Sequence, residues 1–257
     1  MRRRHFSWFF GPFPWFFGLS TMVGLLAAPS WGADTAKPAP GTAESAQPGD
    51  NTPPPGFIAL FNGKDLTNWK GLMRPPLDNP ARRAKLSPEE RAKAQEEADR
   101  VMRAGWSVQS GILVFNGHGR NLSTAKDYGD FELWVDWKIG PRGDSGLYLR
   151  GTPQVQIWDH KQWKIGSGGL YNNFKHPSNP LVMADNPIGQ WNRFYVKMVG
   201  EKVTVILNGK LVVDQVPLDN YWERDKPIYA TGPIELQNHG DKLWFKNIYL
   251  REIPRDK

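Results

Sequence analysis

Three separate stretches of this chain set polar and aromatic side chains against aliphatic ones at the two-residue period of a β-strand. In Leu147-Tyr148-Leu149-Arg150 the leucines fall on one side, Tyr148 and Arg150 on the other. In Gln154-Val155-Gln156-Ile157-Trp158, Val155 and Ile157 turn inward while Gln154, Gln156 and Trp158 turn outward. Glu235, Gln237 and His239 repeat the pattern near the C-terminus. Amides and a guanidinium pair with hydroxyl groups, and aromatic rings stack on the C–H faces of a sugar, so a surface carrying both suits a polyhydroxylated ligand. The solvent face of an antiparallel sheet is polar in any case, and the agreement of three strands is what lifts this one above that background.

Neighbouring loops add to the picture. Gly166-Ser167-Gly168-Gly169, followed by Leu170-Tyr171-Asn172-Asn173, reads as a loop whose backbone can approach a ligand, because glycine has no Cβ to obstruct it. It lacks the lysine and hydroxyl of a phosphate loop. A single Asp159-His160 pair is thin support for a metal site, and His118 and His176 read as loop residues.

The elements that must hold these residues are mostly strands. Trp106 to Gln109 and Ile112 to Phe115 flank Ser110-Gly111, and Phe131 to Trp137 alternates cleanly. Asn192 to Val199 and Lys202 to Leu207 follow, and Asn208-Gly209 is a hairpin turn leading into Leu211 to Asp214. Many short strands with turn-rich links predict an all-β fold, a two-sheet sandwich of jelly-roll type. Residues 74–104 break the pattern. Ser87-Pro88-Glu89-Glu90 is a helix start, and the Arg, Lys, Glu and Ala that follow predict one solvated, inserted helix with little share in the core.

Composition bounds the rest. The chain has 257 residues and no cysteine, which excludes disulfides, thiolate metal sites and a cysteine nucleophile. Its net charge of +7 is swollen by Arg2, Arg3 and Arg4, and the mild excess elsewhere is spread out, which gives no footprint for nucleic acid. Residues 1–32 read as a signal peptide, with a basic start, an uncharged run and small residues before Ala33. Cleavage would leave a periplasmic or secreted protein without stable membrane insertion. A retained anchor is the other reading of the same run. Residues 33–55, rich in Pro and Ala, form a tether, and one domain is expected over 56–254.

Seven ordered motifs carry a resemblance: Phe57 to Trp69, Tyr128 to Leu133, Asp144 to Gly151, Gln154 to Asp159, Gly189 to Asn192, Leu207 to Gly209, and Gly232 to Gly240. Together they resemble the 3-keto-glucoside lyase or 3-keto-disaccharide hydrolase domain, a bacterial family formerly of unknown function. The resemblance implies a concanavalin A-like jelly roll, export, and a sugar substrate whose C3 hydroxyl has become a ketone. Such a ketone acidifies the C2 proton, so a base can form an enolate that expels the C1 substituent, after which water can add. On that chemistry Arg150 is the candidate anion stabiliser and His239 the candidate base or metal ligand. Glu235, Asp159 or Tyr171 is the partner acid, and Gln156 and Gln237 orient hydroxyls beside Tyr148, Gln154 and Trp158. A divalent cation chelated by the C2 hydroxyl and C3 carbonyl would also serve. A non-catalytic carbohydrate-binding module is the competing class, and composition is also compatible with a protein-interaction sandwich. A paired-carboxylate endoglucanase is disfavoured, because Glu132 and Asp136 have the wrong spacing for it.

Overall fold

The computed structural model describes residues 49–255, so the leader and most of the tether lie outside the described residues. The chain enters through β1 (Ile58–Ala59) and β2 (Trp69–Gly71), then forms two helices, α1 (Pro80–Arg83) and α2 (Pro88–Gly105). Next come β3 (Trp106–Gln109), β4 (Ile112–Asn116), β5 (Leu122–Thr124), β6 (Asp130–Ile139), β7 (Asp144–Leu149) and β8 (Thr152–Trp158). A long loop leads to β9 (Asn192–Val199), β10 (Lys202–Leu207), β11 (Lys210–Pro217), β12 (Glu235–Leu236) and β13 (Lys242–Ile253). The larger sheet has the order β11-β10-β9-β6-β13-β4-β3, with β1 added along β13, and the smaller has the order β2-β5-β12-β7-β8. The result is the antiparallel two-sheet sandwich that the alternation predicts.

β6 shows why the sheets pair. Phe131, Leu133, Val135, Trp137 and Ile139 are all buried and share one core with Leu147, Leu149, Val155, Ile157 and Leu236 of the smaller sheet. Each such side chain contributes roughly 1.5–3 kcal/mol on burial. The Asn208-Gly209 turn forms as expected, with φ of 50° and 80°.

The inserted helix departs from expectation. Its start is as read: Ser87 Oγ accepts from the Glu90 amide, and the Glu90 carboxylate accepts from the Ser87 amide. Its inner face is not solvated. Ala98 and Met102 are buried, and Met102 joins the sandwich core. At the β2 edge of the smaller sheet, the Gly71 amide donates to Asp99 Oδ1 at 2.8 Å, and Gln95 Nε2 donates to the Gly71 carbonyl at 2.9 Å. Glycine is required there, since a Cβ would lie 2.1 Å from the Ala98 carbonyl oxygen. α2 therefore closes a sheet edge that would otherwise offer free backbone groups.

Residues before Gly56 also take part in the fold. The Asn51 amide donates to Asn247 Oδ1 at 2.7 Å, and Lys246 pairs with Asp50 at 2.6 Å. The last seven residues assigned to the tether are thus partly docked on β13. Among the described residues, no helix is long and apolar enough to cross a membrane.

Candidate active site

Because Leu147, Val155, Ile157 and Leu236 face the core, the alternate residues of β7 and β8, and Gln237 just past β12, face outward. They floor a pocket of about 440 Å³. Seven of the residues singled out in the sequence line it: Tyr148, Gln154, Gln156, Trp158, Tyr171, Gln237 and His239. The register explains their convergence. Gly146 lies opposite Gln156, and its carbonyl accepts from the Gln237 amide, so these residues form one row across three strands. Gly146 leaves the centre of that row open, since a Cβ would sit 3.1 Å from both Gln154 Cδ and Gln237 Oε1. The side-chain amides fold over the gap.

These amides form a directed chain. Asn172 Nδ2 approaches Gln154 Oε1 at 3.5 Å, and Gln154 Nε2 donates to Gln156 Oε1. Gln156 Nε2 then donates to Asp144 Oδ1 at 2.8 Å. The second Asp144 oxygen lies 3.8 Å from His239 Nδ1. Burial pushes the Asp144 carboxyl above its ordinary pKa, against the pull of His239 and Gln156. Gln237 Oε1 is buried and finds no donor among the described residues, which leaves it an acceptor for a ligand hydroxyl. Aromatic rings supply the walls. Trp158 and Trp163 stack at 5.2 Å with 9° between planes, Tyr171 meets Trp158 edge-on, and Tyr221 and Trp222 stand on another side.

Three predicted site residues lie elsewhere. Arg150 does not continue the β7 alternation, because with Gly151 it forms the two-residue turn joining Leu149 to Thr152, at φ of 52° and 69°. The turn swings its guanidinium into the protein, where it donates to the Gly129 and Tyr229 carbonyls and pairs with Asp130 at 2.5 Å. Arg150 is 1% exposed and is a structural ion-pair partner, not an anion stabiliser of the pocket. Asp159 is a loop tie: its carboxylate accepts from the Arg142 and Lys161 amides, both at 2.8 Å. Burial works against the ionised form, and those backbone bonds outweigh it, so the pKa falls below the usual value. Glu235 is on the expected face but fully buried, behind the pocket rather than in it.

The glycine loop also has another use. The Gly168 amide donates to the Gln156 carbonyl and the Gln156 amide to the Gly169 carbonyl, so this segment pairs with the outer edge of β8. Its glycines admit Val212 and the Ser178 carbonyl at close range, not a ligand.

Asp144, Asp78, Trp163, Asn172, Tyr221 and Trp222 line the pocket and were not singled out. Asp144 was within reach, since it continues the β7 alternation two residues before Gly146. The others come from loops, where no periodicity marks them. Asp78 arrives on the insertion, held by Arg83, which donates to the Leu77 and Asp78 carbonyls. Among the described residues, no three His, Asp or Glu side chains come together as a metal cage, so the residues present do not by themselves fit a resident divalent ion.

Comparison with known proteins places the chain in a family and agrees with the fold. A 3-keto-disaccharide hydrolase of Bacteroides thetaiotaomicron is 24% identical over 255 residues, covering 77% of this chain and 79% of that protein. A crystal structure of a candidate glycosyl hydrolase from Parabacteroides distasonis, 25% identical, superposes with a TM-score of 0.59 over 80% of this chain and all of that one. A second from the same organism, 24% identical, gives 0.57 over 82% and 94% of the two chains and shares the fold. Residues 56–251, from the first strand to near the end of the last, match the model of one family, and the chain belongs to it: the 3-keto-alpha-glucoside-1,2-lyase-like domain family.

Proposed function

We propose that this protein is exported and cleaves 3-keto-glycosides by removing the C2 proton and eliminating the C1 substituent, with water able to add to the product. Family membership makes it a carbohydrate-active protein of the hydrolase or lyase type. The observation that carries the finer reading is the placement of Asp144 and His239 together, at the end of an amide chain, in a pocket walled by aromatic rings. A binding module needs the amides and the rings. It has no need of an imidazole 3.8 Å from a partly buried carboxylate.

In the proposed reaction, the exposed rings of the wall, Trp163 and Tyr171, contact the C–H faces of the sugar, with Trp158 backing Trp163, and Gln154 and Gln237 accept from its hydroxyls. Asp144, fixed by Gln156, orients the His239 imidazole, which takes the C2 proton. The electron pair of the broken C–H bond moves into the C2–C3 bond to give the enolate. The enolate collapses, restoring the C3 carbonyl, forming a C1–C2 double bond and expelling the C1 oxygen. Export is supported by the composition of residues 1–32.

Incubation with 3-keto and unoxidised disaccharides, followed by mass spectrometry of the products, tests the reading. Release of a sugar from the oxidised substrate alone is expected. Sugar binding without release would make the protein a binding module instead.

A further inference from the structure

A row of four polar residues crosses the outer face of the smaller sheet. Lys70 lies opposite Ser123, Ser123 opposite Glu235, and Glu235 opposite Tyr148. With strands about 4.8 Å apart, the row spans roughly 14 Å. Tyr148 lines the sugar pocket, whereas Lys70 and Ser123 line a separate cavity of about 610 Å³ beneath the insertion.

Glu235 sits between the two, 0% exposed. Its Oε2 accepts one hydrogen bond, from Asn121 Nδ2 at 3.2 Å, and its Oε1 has no partner among the described residues. Arg83 of α1, Asp78 of the preceding loop and Lys70 of β2 act on it through space, and Tyr148 faces it from β7. An ionised carboxylate there would lack solvent around both oxygens and a donor for one, so the neutral acid is favoured. Burial accordingly pushes its pKa up to about 7. The Tyr148 phenol is coupled to it: burial first, and then the Glu235 charge, raise the phenol pKa, while a hydrogen bond from the same Asn121 side chain lowers it. Two negative charges on these neighbours are disfavoured, so one can ionise readily only while the other is neutral.

We infer that Tyr148 is the acid that protonates the departing C1 oxygen, and that Glu235, neutral behind it, is the positioning residue that permits the transfer. The inference rests on the elimination proposed above and supplies its missing proton. As the C1–O bond breaks, its electron pair stays on oxygen and takes the Tyr148 hydroxyl proton, leaving a phenolate beside Asn121. The proton that His239 took from C2 returns to that phenolate through solvent, and both residues are reset. Tyr171 is the weaker choice, being 56% exposed on the loop after β8 and outside the row that holds Glu235.

The test compares two leaving groups in the full-length protein. Tyr148→Phe should lower kcat by about 100-fold for a 3-keto-glycoside with an alkyl alcohol as leaving group, with KM little changed. A 4-nitrophenyl 3-keto-glycoside, whose leaving group needs no proton, should lose only a few-fold. Equal losses for both would overturn the acid role while turnover itself stands. Glu235→Gln, which stays neutral at every pH, should move the alkaline limb of the pH–rate profile upward. The protonated-carboxyl infrared band of the wild type, identified by its loss in Glu235→Gln, should disappear along that limb. A limb that stays in place in the variant, or a Glu235 already ionised at pH 5, would overturn the role of Glu235. No turnover of either substrate by the wild type would instead bring down the elimination reading, and the acid role with it.

Discussion

The outer face of the smaller sheet has two halves that local alternation makes alike and their cover makes different. On the open half, β7 and β8 present Asp144, Gln154, Gln156 and Trp158 to a pocket, and the Asp144 side chain remains 19% exposed beside His239. On the roofed half, β2, β5 and β12 present Lys70, Ser123 and Glu235 beneath the insertion, and Glu235 has no exposure at all. Both halves carry a carboxyl group whose pKa is raised by burial. Only the open one can touch a substrate. Strand periodicity selects a face, and what packs above that face decides whether a polar residue meets a ligand or is held neutral in the interior.

The largest effect should fall on the open half. His239→Ala is expected to lower turnover of a 3-keto-glycoside by 10²–10⁴-fold, about 3–5 kcal/mol, with an unchanged melting temperature. A comparable loss of stability would show that the two halves are not energetically distinct.

Arg150→Ala should reverse that pattern. It breaks a buried ion pair, so it should cost about 3 kcal/mol of stability, measured by denaturant unfolding. Asp130 keeps Arg255 at 2.6 Å, which places the cost at the lower end of the usual range. A loss of turnover at full stability would return Arg150 to the site.

The roofed half should announce itself through pH. The folded pKa of Glu235, about 7, exceeds the ordinary value of 4.5, so between those values the folded state binds more protons than the unfolded one. Stability then declines as pH rises through that window, by about 3 kcal/mol in all. Glu235→Gln should flatten this dependence between pH 5 and 8, and identical slopes in variant and wild type would remove the contrast between the two carboxyl groups. Met102→Ala tests the roof itself. It should cost about 2–3 kcal/mol in unfolding experiments, and a negligible cost would restore the solvated helix. The smallest effect belongs to an amide of the open half. Gln237→Ala should raise KM about 10-fold and leave kcat nearly unchanged, since a hydroxyl-pairing group holds ground and transition states alike. A fall in kcat instead would place Gln237 in the chemistry.

Much of this was legible in residue order because strands have a two-residue period. Tyr148, Gln154, Gln156, Trp158 and Gln237 were found by alternation alone, and Leu147, Val155, Ile157 and Leu236 marked the opposite face. The same rule failed at Arg150, where Leu149 ends the strand and an Arg-Gly pair turns the chain without the Asn or Asp that usually signals it. It failed differently at Asp159, whose side chain serves two backbone amides of adjacent loops. The docking of α2 is not legible in its residues, because the polar ones outnumber the apolar ones, although Ala98 and Met102 suffice to dock it.

By itself, then, the sequence determined the sandwich, the core face of each strand, the start of the inserted helix, the Asn208-Gly209 turn and the family. All of these follow from local periodicity, from capping or turn chemistry, or from motifs in order along the chain. Only the tertiary structure decided that Asp144 and His239 meet, that Asp78, Trp163, Tyr221 and Trp222 arrive from loops to wall the pocket, and that Glu235 is shut away behind Tyr148. The reason is physical: residue spacing fixes the direction of a side chain along its own strand, but burial and charge pairing depend on segments far away in the chain, whose placement no local pattern encodes.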